Sequence, residues 1–186
     1  MDTSLRLLVL LVTTKFVVMA WIKFPIGAMY ERIELIDGAD FLDIRHIRVR
    51  KFNRTVAVLD GTFDLLRQLD DRYEVYVRAA YSTLGNNQFV QYPMRLASQK
   101  ICEFFRTTWA AYESYYEACC DFPAPDECPI VPQTFHVKNH VLDSAMLPPY
   151  VPRGLWRLSI FMKNTGNGDI LLHINVYGKI EATGIF

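Results

Sequence analysis

Apolar residues recur at every second position over much of the stretch from Tyr30 to Leu96, the repeat of a strand that buries one face. Ile33 and Leu35 alternate with charged neighbours up to Asp37-Gly38, and Ile47 and Val49 alternate with Arg48 and Arg50. Val56 and Val58 lead to Asp60-Gly61, Phe63 and Leu65 to Asp70-Asp71, and Tyr73, Val75 and Val77 follow. After Gly85-Asn86-Asn87 comes a short run, Phe89-Val90-Gln91-Tyr92. Most of these runs stop on residue types that favour chain reversal, so the pattern predicts short strands joined by turns.

The period then changes. Ile101, Phe105, Trp109, Tyr112 and Tyr116 recur at three- and four-residue steps, with Arg106, Glu113 and Glu117 between them, which predicts one amphipathic helix at about 98–118. Strands resume at Phe135 and Val137, pass Lys138-Asn139-His140, and continue at Val141-Leu142. The proline-rich connection 148–154 is poor in backbone donors. Trp156, Leu158, Ile160 and Met162 mark one face of a strand, a hairpin connection spans 164–169, and Ile170, Leu172, Ile174 and Val176 mark a last strand. The expectation is a mainly β protein, an antiparallel β-sandwich with one inserted helix, forming a single domain over 29–186.

The N-terminus departs from both periods. Arg6 precedes Leu7-Leu8-Val9-Leu10-Leu11-Val12, and a second apolar run ends at Val18-Met19-Ala20, the pattern of a signal peptide over 1–20. Ile26-Gly27-Ala28 offers a later cleavage site, at 28. Lys15 interrupts the apolar stretch, which argues against a stable membrane span. Secretion agrees with an even count of four cysteines, Cys102, Cys119, Cys120 and Cys128, and with a glycosylation sequon at Asn53-Arg54-Thr55. With 20 basic and 20 acidic residues interspersed, no charged block marks a nucleic-acid partner.

The spacing of Cys102-Glu103-Phe104-Phe105, Cys128-Pro129-Ile130 and Val137-Lys138-Asn139 resembles the insect secreted family catalogued as domain of unknown function 1091. Leu147-Pro148-Pro149, Gly154-Leu155-Trp156-Arg157-Leu158 and the closing strand are similar too, as are Asn53-Arg54-Thr55 and Tyr73-Glu74-Val75. The resemblance covers roughly residues 30 to 180. It implies an immunoglobulin-like sandwich akin to the ML lipid-recognition superfamily, whose two sheets part at one edge to house a lipid tail; some insect relatives act in contact chemosensation. It also implies a Cys102–Cys128 bridge and leaves Cys119-Cys120 outside the family pattern. From the residues themselves, the pairings 102–119 with 120–128 and 102–120 with 119–128 stay open.

Candidate chemistry is sparse. His136 and His140, four apart on a strand, are expected on one face but well separated; His46 and His173 are expected on strand faces or the surface. Asp70-Asp71 suits a turn cap better than a catalytic carboxylate pair. No nucleophile elbow, phosphate loop or zinc-protease motif occurs, so no catalytic residue, metal or cofactor is expected. The aromatics Phe104, Phe105, Trp109, Tyr112, Tyr115 and Tyr116 either pack the helix onto a sheet or ring the mouth of an apolar pocket. The expected cavity residues are Val75, Val77, Phe105, Trp109, Trp156, Leu158, Ile160, Leu172 and Ile174, with Val176 beside them in the core. The partners expected are an apolar small molecule or lipid and a cell-surface receptor; the alternative is an extracellular interaction module with a packed interior.

Overall fold

The computed structural model describes residues 26–53, 56–148 and 151–182. The leader expected over 1–20 and two sequon positions, Arg54 and Thr55, lie outside the described residues. Strands β1 (Ile26–Asp37), β2 (Leu42–Lys51), β3 (Ala57–Leu65), β4 (Tyr73–Ser82) and β5 (Val90–Lys100) come first. A helical segment follows, then β6 (Gln133–Val141), a single 3-10 turn at Ser144–Met146, β7 (Gly154–Asn164) and β8 (Ile170–Ala182). They form two antiparallel sheets, one of five strands in the order β1-β8-β7-β4-β5 and one of three in the order β2-β3-β6. The chain is therefore a mainly β, two-sheet structure consistent with a β-sandwich.

Period two places the inward face of the larger sheet. Val75 pairs with Met162, Val77 with Ile160, Ala79 with Leu158 and Tyr81 with Trp156 across β4 and β7. Met162, Ile160 and Leu158 pair in turn with Leu172, Ile174 and Val176 of β8. Residues directly opposite share a face, so the alternation read from the sequence becomes one continuous apolar surface.

Two sequence expectations change. Asp60-Gly61 is not a turn but the middle of β3, where the pairing with β6 slips. Gly61 has φ +126°, and a Cβ there would stand 2.0 Å from the His46 carbonyl oxygen, so only glycine lets β2 and β3 approach this closely. The helix also starts later than expected: residues 98–100 belong to β5, with Gln99 opposite Val75 and Lys100 opposite Glu74.

The helical segment itself is broken. One α turn, α1 (Ile101–Phe104), widens into a π turn (Phe105–Trp109); residues 110–112 form a turn and α2 (Glu113–Tyr116) closes the segment. Two side chains tap carbonyls one turn back: Thr107 Oγ1 donates to the Glu103 oxygen at 2.8 Å and Arg106 Nε to the Cys102 oxygen at 3.2 Å. Such back-bonding competes with the helical ladder and accompanies its widening. The segment is stapled to the following chain by the Cys102–Cys128 disulfide.

Candidate apolar binding site

Three buried clusters anchor the interior. Phe41, Tyr73, Val75, Ile101 and Met162 close one region, packed by Phe104, Phe105, Ile160 and Leu172. Ala79, Val151, Trp156 and Ile180 close a second, with Tyr81, Tyr92, Met94 and Leu158 against it. Leu65, Ile130 and Phe135 form a third under Phe63, Phe105 and Phe122. Between the first two clusters the inward face of the larger sheet changes character. Val77, Leu158, Ile160, Leu172, Ile174 and Val176 are only half-buried, although their strands are paired on both sides.

The arithmetic of the two sheets accounts for this. At about 4.8 Å per strand, five strands span roughly 19 Å and three roughly 10 Å, so the smaller sheet cannot cover the larger. The smaller sheet meets the larger through β1, which packs on β2 and β3, while the start of the helical segment packs on β4 and β5. The inward side chains of β7 and β8 lie between these two covers.

The expected cavity residues therefore divide. Val75 and Trp156 are buried in packed clusters and are wall rather than lining. Trp156 is fixed further by Nε1 donating to the Pro152 oxygen at 2.8 Å and by stacking on Tyr81 at 5.3 Å. Val77, Leu158, Ile160, Leu172 and Ile174 form the half-buried face. Phe105 and Trp109 sit on the helical segment; Trp109 stacks on Tyr116 at 4.9 Å and its Nε1 donates to the Pro123 oxygen at 3.3 Å. A separate, half-open pocket of about 210 Å³ lies beside that segment, lined by Trp109, Glu113, Tyr116, Glu117, Cys120, Phe122, Pro123 and Ala124. The loop residues 122–124 of this wall carried no periodic signal in the sequence.

The ionisable candidates do not converge. His136 is exposed and its Nδ1 lies 2.7 Å from Asp121 Oδ2. His140, expected on the same face, is instead 2 % exposed in the interior. One extra residue in β6 causes this: Gly61 pairs with Val137 but Leu59 with His140, and Asn139 takes up the bulge at φ 54°. His140 Nδ1 is 2.9 Å from Tyr30 Oη, and its ring stacks on Tyr116 at 4.5 Å. Burial holds His140 below its ordinary value and pushes Tyr116 up to about 12, so this interior cluster is uncharged at neutral pH. His46 is exposed on β2. His173 stacks on Phe161 at 4.2 Å on the outer face of the larger sheet.

Asp70 and Asp71 point to different tasks. Arg72 holds Asp70 through side-chain and backbone hydrogen bonds, which keep its carboxyl below the usual range. Asp71 Oδ1 accepts from the Cys102 N–H at 3.1 Å and so caps the helical segment from a distant turn. Asn53 is exposed at the β2–β3 connection, where its Oδ1 accepts from the Val56 N–H at 2.8 Å. Among the described residues no cluster of metal-ligating side chains occurs, and no helix is long and apolar enough to cross a membrane.

Fold and site together define a disulfide-stapled antiparallel two-sheet structure, consistent with a β-sandwich, with a half-buried apolar face on the inward side of its larger sheet. No family model matches the chain, and no curated protein matches it.

Proposed function

We propose that this protein is a secreted carrier that binds an apolar or amphipathic small molecule, a lipid or hydrocarbon, without changing it chemically. One observation carries the reading: six apolar side chains of β4, β7 and β8 stay half-buried on the inward face, and Val77, Ile174 and Val176 among them pack into neither of the two flanking clusters. Water against such a surface is costly, at roughly 25 cal/mol per Å², and an acyl chain would remove it. His136, His140 and the Asp70-Asp71 pair each serve a local contact, which favours carrying over catalysis. The resemblance to the domain of unknown function 1091 family and to ML-like sandwiches belongs to the same proposal. Its implied Cys102–Cys128 bridge is the disulfide of the structure. For the leader, cleavage after Ala20 fits better than after Ala28, because Ile26, Gly27 and Ala28 pair with β8.

The test is native mass spectrometry and fluorescent fatty-acid displacement on the full chain made in a secretory host. Wild type is expected to carry or take up the probe, and Ile174→Arg to lose at least tenfold in affinity while keeping its circular dichroism spectrum. Absence of copurifying lipid together with no uptake of fatty-acid or hydrocarbon probes would overturn the carrier reading.

One observation favours the rival, an extracellular interaction module. The outer face of the larger sheet carries stacked Tyr76, Phe161 and His173, with the Arg78 guanidinium 5.4 Å from the Tyr76 ring centre. Arginine and aromatic residues of this kind recur at protein interfaces.

A further inference from the structure

The chain has four cysteines, and the Cys102–Cys128 disulfide uses two of them. Cys119 and Cys120 remain, so within one chain each has only the other as a partner. Their sulfurs are 3.0 Å apart, closer than ordinary nonbonded contact and about 1 Å beyond a bonded pair. The backbone holds them there. Both amides donate to the Tyr116 oxygen, at 3.0 and 2.9 Å, and the Cys119 oxygen accepts from the Lys138 N–H at 2.8 Å. Cys120 also bridges to Val137 of β6. The dipeptide is thus clamped between the end of α2 and a strand, with both side chains half-buried against Tyr116 and the pocket wall.

We infer that Cys119 and Cys120 are a modification site, closing a vicinal disulfide by exchange with a small-molecule disulfide such as oxidised glutathione. One thiolate attacks the glutathione disulfide, forming a mixed disulfide and releasing one reduced glutathione. The neighbouring thiol then displaces the second, so the pair loses two electrons and two protons and one glutathione disulfide becomes two thiols. Adjacent Cα atoms are about 3.8 Å apart across a trans peptide, below the usual span of a disulfide, so this bridge is strained and easily reduced. It opens under milder conditions than Cys102–Cys128. Burial pushes the Cys120 thiol up, which slows exchange and calls for long equilibration. Occupancy in the organism rests on the secretion reading; the exchange chemistry does not.

The experiment equilibrates the purified full chain in glutathione buffers from oxidising to reducing, then quenches with acid and N-ethylmaleimide. Cleavage after Lys, Arg and Glu releases residues 118–127, which contain Cys119 and Cys120 and no other cysteine. At the oxidising end this peptide is expected unalkylated and two hydrogens light. At an intermediate poise it gains two maleimides while the peptides of Cys102 and Cys128 are still joined. Two maleimides at the most oxidising point, stable glutathione adducts, or cross-links to a second chain would each overturn the assignment. The readout does not depend on where the cell sends the protein, so its failure is distinct from failure of secretion.

Discussion

His140 owes its position to a single inserted residue. Strand alternation alone places it on the same face as His136, but the bulge at Asn139 turns it inward onto Tyr30 and Tyr116. No periodicity argument finds this, because a bulge has no hydrophobic signature of its own. The consequence is a pH dependence of stability. Burial lowers the folded-state value of His140 below that of the unfolded chain, so between the two values the unfolded chain binds more protons. Its contribution is complete above about pH 6.5 and is lost as pH falls below that. Thermal unfolding of wild type and His140→Gln from about pH 7.5 to about 5.0 checks this. The variant is expected to show the shallower decline, and equal slopes would exclude His140 as the source.

Strands were the most legible elements, and period two carries furthest in β4 and β7, whose register is unbroken from Tyr73 to Ser82. Their ends were less so: β5 runs on to Lys100 because Gln99 and Lys100 pair with β4. The helical segment kept its aromatic spacing but not its regularity, as Thr107 and Arg106 reach back to carbonyls of the preceding turn. An element this short is held by its staple. Cys102 and Cys128 are 26 residues apart, and closing such a loop stabilises by about 3–4 kcal/mol in the chain-entropy model. Replacing both with Ala is expected to lower unfolding free energy by about that amount in urea titration. Hydrogen exchange should rise first across residues 101–116 and only later in β7 and β8. Uniform loss of protection would show that the bridge serves the whole sandwich.

At the scale of the molecule, the question is how the two sheets meet. Met162 is 1 % exposed in a sealed cluster, whereas Ile174 is half-buried in the region between clusters. A sealed site leaves a cavity when truncated, and an incompletely covered one does not. Met162→Ala is therefore expected to cost about 2–5 kcal/mol and Ile174→Ala about 1 kcal/mol, by denaturant unfolding of the ligand-free protein. Equal costs would mean that the face is closed by packing and would favour the interaction module over the carrier.

The sequence by itself determined the β character, the inward faces of the central strands and the presence of one aromatic helical insert. These are local, because alternation and turn chemistry are written in neighbouring residues. Tertiary structure decided that Cys102 joins Cys128 and that Asp71 caps a segment some thirty residues away. It also decided which of the apolar residues are wall and which are surface. Those depend on two sheets of unequal width, and that inequality arises only when distant strands pair.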